Sequence, residues 1–513
     1  MAGLRQDGNM TGSAWSIVFI MIPVLTALWM SAAALAQGET VSDETSVPAA
    51  APAAQVPAPP TPPAQPSRPR VTADILSLDR RMEVYDQFRA MYETARFEEA
   101  LPLAQRVVEL SEIDEDHDLE LPIAYNNLAA TQYQLSDYAA AQASYQKSLE
   151  ILEATQGISS RRLIVPLTGL GAVYAALDQH ALAVEQYDRA LAVSRRSEGL
   201  FNLEQLPLID QAADSRFALG DFAGVEREYR YALKIAEHHY GYDDLRTLPA
   251  VLQLAAFYES VREFAGARLF YMRARDISMK ESDGHSPSTI RSLIGIARTH
   301  RMQYTLAPDS LASQRPARDE VTAEVTRQVY LEGRSPPPAA DRSGLKSAQQ
   351  ALELLRAASD PPAVLLAETL TELGDWFQAT SRTDTAMPYY AEASALYTAD
   401  AESGTVNPLL APRLIFYRTP LASTRGFNSD DGEYIVRQTV FSLVVTETGE
   451  TRDITVLDSD MSDGQRAQAR RALDRAIYSP RFEDGRPVAT EGVRFTSDWY
   501  ELPLPETPST TDS

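Results

Sequence analysis

Apolar positions along the chain follow three rules in succession. Gly8 to Gly38 carries no charged side chain, and its apolar run, Ala14 to Leu35, spans a bilayer if helical, at about 1.5 Å per residue. From residue 82 onward, apolar residues recur at three- and four-residue spacing, which predicts packed amphipathic helices. After Gly404 the spacing falls to two. There, TVFSLVVTETGETRDITVLD (439–458) predicts two strands around the turn Glu447-Thr448-Gly449-Glu450. Next comes a predicted helix with Ser462 and Asp463 near its start and Ala469, Leu473, Ala476 and Ile477 on one face. A turn at Glu483-Asp484-Gly485-Arg486-Pro487 and a final strand in EGVRFTSDWYEL complete a ββαβ module.

A longer period lies over the helical stretch. Tyr145, Tyr187, Tyr229 and Tyr271 are each 42 residues apart. So are Leu128, Leu170, Ala212 and Leu254, and so are Ala141, Ala183, Val225 and Ala267. Tyr138, His180, Phe222 and Phe264 keep the same step, as do Ser148, Ala190, Ala232 and Ala274. Small residues in two columns let helices approach closely, and the aromatic column fills the space between neighbouring pairs.

These columns resemble the tetratricopeptide repeat, which carries Leu-Gly early in its first helix and Ala, aromatic, Ala in its second. The 42-residue step is similar to the long-loop variety of kinesin light chains. A shifted copy precedes the columns at Phe97, Ala100 and Ala104. A later one holds Leu373-Gly374, Phe377, Ala386, Tyr390 and Ala393. Between them, a helix at about 288–304 and another near 344–358 read as one repeat split by an insertion at 305–343. The fold class expected is therefore mainly α, a tetratricopeptide helical-hairpin solenoid over 71–400, followed by a small α+β (ββαβ) domain over 405–502.

The resemblance implies a protein or peptide groove lined by the first helix of each pair. Counted from the Leu128 column, the groove positions are Asn126, Tyr133, Thr168, Asp210, Asp214 and Phe217. Asn amides can clamp an extended backbone, and Tyr or Phe can stack on a ligand side chain. The carboxylate clamp of this family needs lysines beside its asparagines. Asn126 and Asn127 are present without a matching Lys series.

The C-terminal module resembles the TonB C-terminal domain. Thr448-Gly449, Ala472-Leu473, Ala476, Pro480, Phe482, Asp484-Gly485, Pro487 and Val488 match that family's turn, helix and loop in order. Two departures stand out. The entrance motif is reduced to Thr419-Pro420-Leu421-Ala422, and Ser429 to Glu433 is an acidic insertion. The resemblance implies pairing of an edge strand with an extended segment of an envelope protein. The edge would be Val493 to Trp499, with Phe495 between them, or the strand at 451–457. The other reading of this module is a structural partner for the repeats.

Composition narrows the function further. The 513 residues include 47 basic and 71 acidic side chains, a net charge of −24, and no cysteine. Disulfides, thiolate metal sites and a cysteine nucleophile are excluded, and the acidity argues against nucleic acid. Ala34-Leu35-Ala36 before Gln37 fits a signal-peptidase site, so 1–36 reads as a cleaved signal or a retained anchor. Nine prolines among 48–69 make 37–70 an extended linker, and 503–513 reads as a disordered tail. Both alternatives for 1–36 place the remainder outside the cytoplasm, in a periplasm or anchored in the inner membrane. A TonB-family energy transducer would need a polar group in the anchor, a histidine in that family. None of the six histidines lies within 14–36. His238-His239 reads as helix surface. No phosphate loop, nucleophile elbow or zinc helix motif occurs, so no catalytic, cofactor or metal residues are expected. The reading is an exported interaction scaffold. Its alternatives are a membrane-anchored transport accessory and an enzyme whose site lies in 305–343.

Overall fold

The structure, a computed structural model, describes residues 70–113, 120–282, 285–305, 342–399, 406–417 and 435–501. The expected signal or anchor, the linker up to Pro69, the insertion between 306 and 341, Thr419 to Ala422, Ser429 to Glu433 and the tail lie outside these residues.

Seven helix pairs follow one another: α1 (Arg70–Glu93) with α2 (Phe97–Glu112), α3 (Glu120–Gln134) with α4 (Tyr138–Gln156), α5 (Ile164–Ala176) with α6 (His180–Glu198), α7 (Leu206–Ala218) with α8 (Phe222–Tyr240), α9 (Leu248–Ser260) with α10 (Phe264–Ser282), α11 (Pro287–Thr305) with α12 (Ser343–Ala357), and α13 (Ala363–Ala379) with α14 (Thr383–Ala399). This is a tetratricopeptide-like solenoid. Helices α11 and α12 pack together as one pair although 37 residues of sequence separate Thr305 from Ser343. The chain forms two compact units, one through Ile235 and one from Ala236, so the boundary falls within α8.

Two turns repeat with the helices. Between first and second helix, one residue takes the left-handed conformation: Ala95, Ser136, Asp178, Gly220, Arg262 and Ser381, with φ of 56°, 60°, 57°, 73°, 62° and 57°. The residue after it donates its N–H five positions back, as from Asp137 to Gln132 (2.9 Å) and from Arg382 to Phe377 (2.8 Å). This is a Schellman closure, which satisfies carbonyls the helix end leaves open. Between pairs, Gly157, Gly199 and Gly241 turn the chain at φ of 81°, 94° and 96°. Ser160, Asn202 and Asp244 then cap a short 3₁₀ turn by accepting the N–H two residues on. The extra length over a shorter repeat goes into this connector.

The aromatic column does what its period predicts. Tyr145, Tyr187, Tyr271 and Tyr390 are buried. Each ring presses on a glycine of a first helix. A Cβ at Gly295 would come within 2.6 Å of Tyr271, and one at Gly374 within 2.5 Å of Tyr390. In the first unit the core gathers Leu152, Leu163, Leu167, Tyr187, Leu191, Ile209 and Ile235.

In the second unit, α13 and α14 are followed, among the described residues, by seven strands and a helix. These are β1 (Arg413–Phe416), β2 (Ile435–Val445), β3 (Thr451–Ser459), α15 (Asp463–Leu473), β4 (Ile477–Ser479), β5 (Arg481–Glu483), β6 (Arg486–Val488) and β7 (Thr490–Glu501). The main sheet is antiparallel in the order β3-β2-β7, with Ala469 and Leu473 of α15 packed on Phe441, Leu443 and Ile454 of its face. The expected ββαβ order is present. Strands β1 and β4 and the β5–β6 hairpin are additional to it. Asp484 (φ 49°) and Gly485 (φ 72°) form the two-residue hairpin turn. Ser462 and Gln465 close a capping box at the start of α15. That helix ends at Leu473, so Ala476 and Ile477 do not continue its face. Ile477 enters β4 and pairs with Phe416, because the β-branched, aromatic Ile477-Tyr478 ahead of Pro480 favours strand over another helical turn.

Candidate protein-binding surfaces

First helices of neighbouring pairs present equivalent residues on one face. In the first unit, Tyr92, Ala130, Tyr133, Gln134, Tyr145 and Ala172 of α1, α3, α4 and α5 close around a gap too small to admit a water molecule. Ala130 and Ala172 occupy the same repeat position, and both are buried. In the next pair that position is Asp214.

The groove positions expected from sequence divide into three sorts. Asn126 and Thr168 are buried rather than presented, because the first helix is packed on both sides by its neighbours. Thr168 donates its hydroxyl to Ile164 O at 2.7 Å, whereas Asn126 Oδ1 has no hydrogen-bond partner among the described residues. Tyr133 and Asp210 are half-buried, and Asp214 and Phe217 are open to solvent. The two aromatics also brace their turns: Tyr133 lies 5.5 Å from Tyr138, and Phe217 lies 5.3 Å edge-on from Phe222. Only part of each ring is left for a ligand.

Asp214 differs electrostatically from an ordinary surface acid. Protein atoms around it displace part of its hydration, and Asp210 one turn earlier repels its charge. Together these push its carboxyl up to about 6. No cation pairs with Asp214 among the described residues. Neighbouring Arg216 is directed elsewhere, donating to both carboxylate oxygens of Asp188 at 2.6 and 2.8 Å.

In the second unit the corresponding face is filled by ion pairs. Arg301 of α11 donates to Glu372 of α13 through Nε (2.7 Å) and Nη2 (2.8 Å), and lies 3.2 Å from Asp375. Arg413 of β1 donates to Asp375 at 2.8 Å, and Tyr390 Oη donates to the same oxygen at 2.8 Å. Arg301, Glu372 and Asp375 are all buried. Burial raises the Glu372 carboxyl, and Arg301 partly offsets that rise. A network this dry is stable only when complete, since loss of one member leaves a buried charge. Next to it, Arg298 pairs with Glu259, which also accepts from Tyr271 Oη at 2.7 Å. None of these pairings is visible in the sequence periods. The only hint is charge inside an otherwise apolar helix, LTELGDWFQ.

The network ties the strands to the last helix pair. Leu409 and Phe482 are fully buried among Leu373, Phe377, Tyr390 and Ala393. Phe482 lies 5.9 Å from Tyr390, where the next pair's helix would otherwise pack. Gln378 Nε2 donates to Thr448 O (2.6 Å) and Tyr478 O (3.1 Å), fixing the β2–β3 turn. The apolar end of the last pair is thereby capped.

Both edge strands of the main sheet, β3 and β7, have one side without a strand partner among the described residues. Val493 and Phe495 are half-buried against the sheet–helix core and Trp499 is buried. What β7 offers a partner is its backbone edge, with these side chains serving the core. On β3, Val456 and Leu457 are exposed. Among the described residues no helix is long and apolar enough to cross a membrane, and no three His, Asp or Glu residues are grouped to hold a metal.

Residues 89–154 match the family model of the tetratricopeptide repeat. Solved structures similar to this chain include a putative kinesin light chain with nearly identical TPR-like repeats from Podosopora anserina. It is 16% identical, with 39% of this chain and 96% of that one covered and a TM-score of 0.36. The C-terminal part of a TPR repeat-containing protein from Cytophaga hutchinsonii is 13% identical, with 63% and 100% covered and a TM-score of 0.37. Aspartyl phosphate phosphatase F from Bacillus subtilis is 14% identical, with 64% and 76% covered and a TM-score of 0.36. No curated protein matches the chain.

Proposed function

We propose that this chain is a protein–protein interaction scaffold of a bacterial envelope, exported by its N-terminal signal or anchor. The first unit grips one protein, and the C-terminal module grips another by β-augmentation along β7. The observation that carries the reading is the contrast between the two units. On the first, the helix face keeps Tyr133 half-buried and Asp214 exposed, with no ion pair to Asp214 among the described residues. On the second, the same face is filled by ion pairs. A face whose charge is left without an ion pair, where the later repeats pair theirs, is suited to an outside partner. The TonB-like order of turn, helix and loop in the C-terminal module supports an envelope partner for the open β7 edge.

Crosslinking in envelope fractions tests both halves. The full chain is compared with Tyr133→Ala, which removes the half-buried ring from the first unit's face, and with Thr496→Pro, which places a ring on the β7 edge. Each substitution should abolish one set of crosslinks and leave the other. If neither substitution changes any crosslink, the scaffold reading fails. N-terminal sequencing of the mature protein decides the alternative: a start at Gln37 excludes a membrane-anchored transport accessory.

A further inference from the structure

We propose that an exposed apolar stripe on α10 is the docking surface for the chain's own insertion, with Val321, Val325 and Val329 of the stretch 319–332 set against Leu269, Met272 and Met279. The scaffold reading neither needs this contact nor forbids it.

Leu269 is 44% exposed, Met272 39% and Met279 42%. Spacings of three and seven residues put the three side chains on one face of the helix. The repeat supplies its own control. Where Leu269 stands, the two preceding second helices carry Arg227 and Glu185, 42 and 84 residues earlier. Where Met272 stands they carry Arg230 and Asp188, and where Met279 stands, Glu237 and Arg195. All six are charged, as suits a face turned to water. A single apolar residue on a surface is ordinary. Three in line, at positions that the sister helices keep charged, mark a contact surface.

The occupant follows from a second departure beside the first. Helix α11 packs on α10 and ends at Thr305, and its pair-mate α12 begins only at Ser343. Between Pro316 and Gly333 of the intervening chain, Val321, Val325 and Val329 recur every four residues, a helical spacing with one apolar face. At about 1.5 Å per residue that face is about 12 Å long, against about 15 Å from Leu269 to Met279. Residues 306–318 and 333–342 reach about 43 and 33 Å at about 3.3 Å each. Both exceed the roughly 28 Å length of α11, so neither tether forbids the contact. Tethering at both ends also raises the local concentration to the order of millimolar. Charge agrees. Helix α10 carries four basic and two acidic residues in a chain of net charge −24, and 319–332 carries four acidic residues and one basic. Arg273 already pairs with Glu237 (2.7 Å) and Lys280 with Asp243 (2.6 Å), so charge selects the sign of the occupant while the adaptable methionines supply contact. A second copy offering its own α10 would bring like charge to like.

The chain has no cysteine, so an introduced pair reports one contact without background. In the full chain, Met272→Cys with Val325→Cys should close a disulfide within one molecule under mild oxidation. It should form about tenfold faster or more than with Met272→Cys and Ala323→Cys, since the four-residue spacing puts Ala323 on the opposite side of the segment. Hydrogen exchange in the cysteine-free chain gives an independent reading. Amides of 319–332 should be protected about tenfold or more, and Met272→Glu/Met279→Glu should remove that protection. Both methionines are exposed, so the double variant stays folded, which unchanged exchange of the α10 amides verifies. Equal disulfide rates for the two pairs, or unprotected exchange of 319–332 in the unsubstituted chain, overturn the proposal. So does protection that survives Met272→Glu/Met279→Glu, which places the segment elsewhere. Disulfides formed only between molecules overturn it in favour of a second copy on the stripe.

Discussion

Replacing Asp214 with asparagine should make the first unit more stable, and only at neutral pH. The folded carboxyl titrates near 6 against an ordinary 3.8, raised first by lost hydration and then by Asp210. A carboxyl raised on folding binds its proton more tightly in the folded state. Its favourable contribution is therefore complete below about pH 3.8 and lost as pH rises through about 6. Above that, the ionised group opposes folding. A shift of about two units corresponds to an upper bound of about 3 kcal/mol at 1.36 kcal/mol per unit. Solvent reaches the side chain, and screening reduces this to about 1 kcal/mol. Asn keeps the shape and removes the charge. Hydrogen exchange of the α5–α8 amides, followed by mass spectrometry in the full chain, reads local stability directly. Protection should rise about fivefold in Asp214→Asn at about pH 7.5, and be equal in the two proteins at about pH 4. A loss of protection at pH 7.5, or the same gain at both pH values, would refute the electrostatic account and with it the case for an unsatisfied groove charge.

Four further outcomes follow from the packing. Arg301→Met should cost about 3–5 kcal/mol in denaturant melts of the second unit, read by Trp376 and Trp499 fluorescence, because Glu372 is left buried without its partner; adding Glu372→Leu should recover much of it. Phe482→Ala removes a fully buried ring from the contact with Tyr390 and Leu409 and should cost about 3–5 kcal/mol, with proteolysis between 400 and 434 as the readout. Ser136→Gly and Arg262→Gly should each stabilise by a few tenths to about 1 kcal/mol, and Gly220→Ala should do the reverse, since all three positions have left-handed φ; thermal shifts give the sign. Gly374→Ala should be clearly destabilising, as its methyl has nowhere to go beside Tyr390.

Much of the architecture is legible along the chain because repeats report their own contacts. The tyrosine column predicts a buried ring against a first helix, and Tyr145, Tyr187, Tyr271 and Tyr390 occupy that place. The helices expected at about 288–304 and 344–358 are found at Pro287–Thr305 and Ser343–Ala357. A column that could have been read in the same way is Gly157, Gly199, Gly241, which marks the turn between pairs. The groove list was less complete. Counting positions gives the face of an isolated helix, and it cannot say which neighbours cover that face. Thr168 is covered, Phe217 is partly occupied by Phe222, and Asp214 is left open.

Sequence alone determined the repeat helices, their pairing in hairpins and the ββαβ order of the C-terminal module, because each of these is set by spacing within a few tens of residues; β1, β4 and the β5–β6 hairpin appeared only in the structure. Tertiary structure decided which polar groups are satisfied. Arg301 meets Glu372 across 71 positions, and Gln378 reaches Tyr478 across 100. A period in the sequence records contacts that recur. Charge pairs formed once, between a repeat and the module that caps it, have no second copy to reveal them, and their burial is what makes them matter.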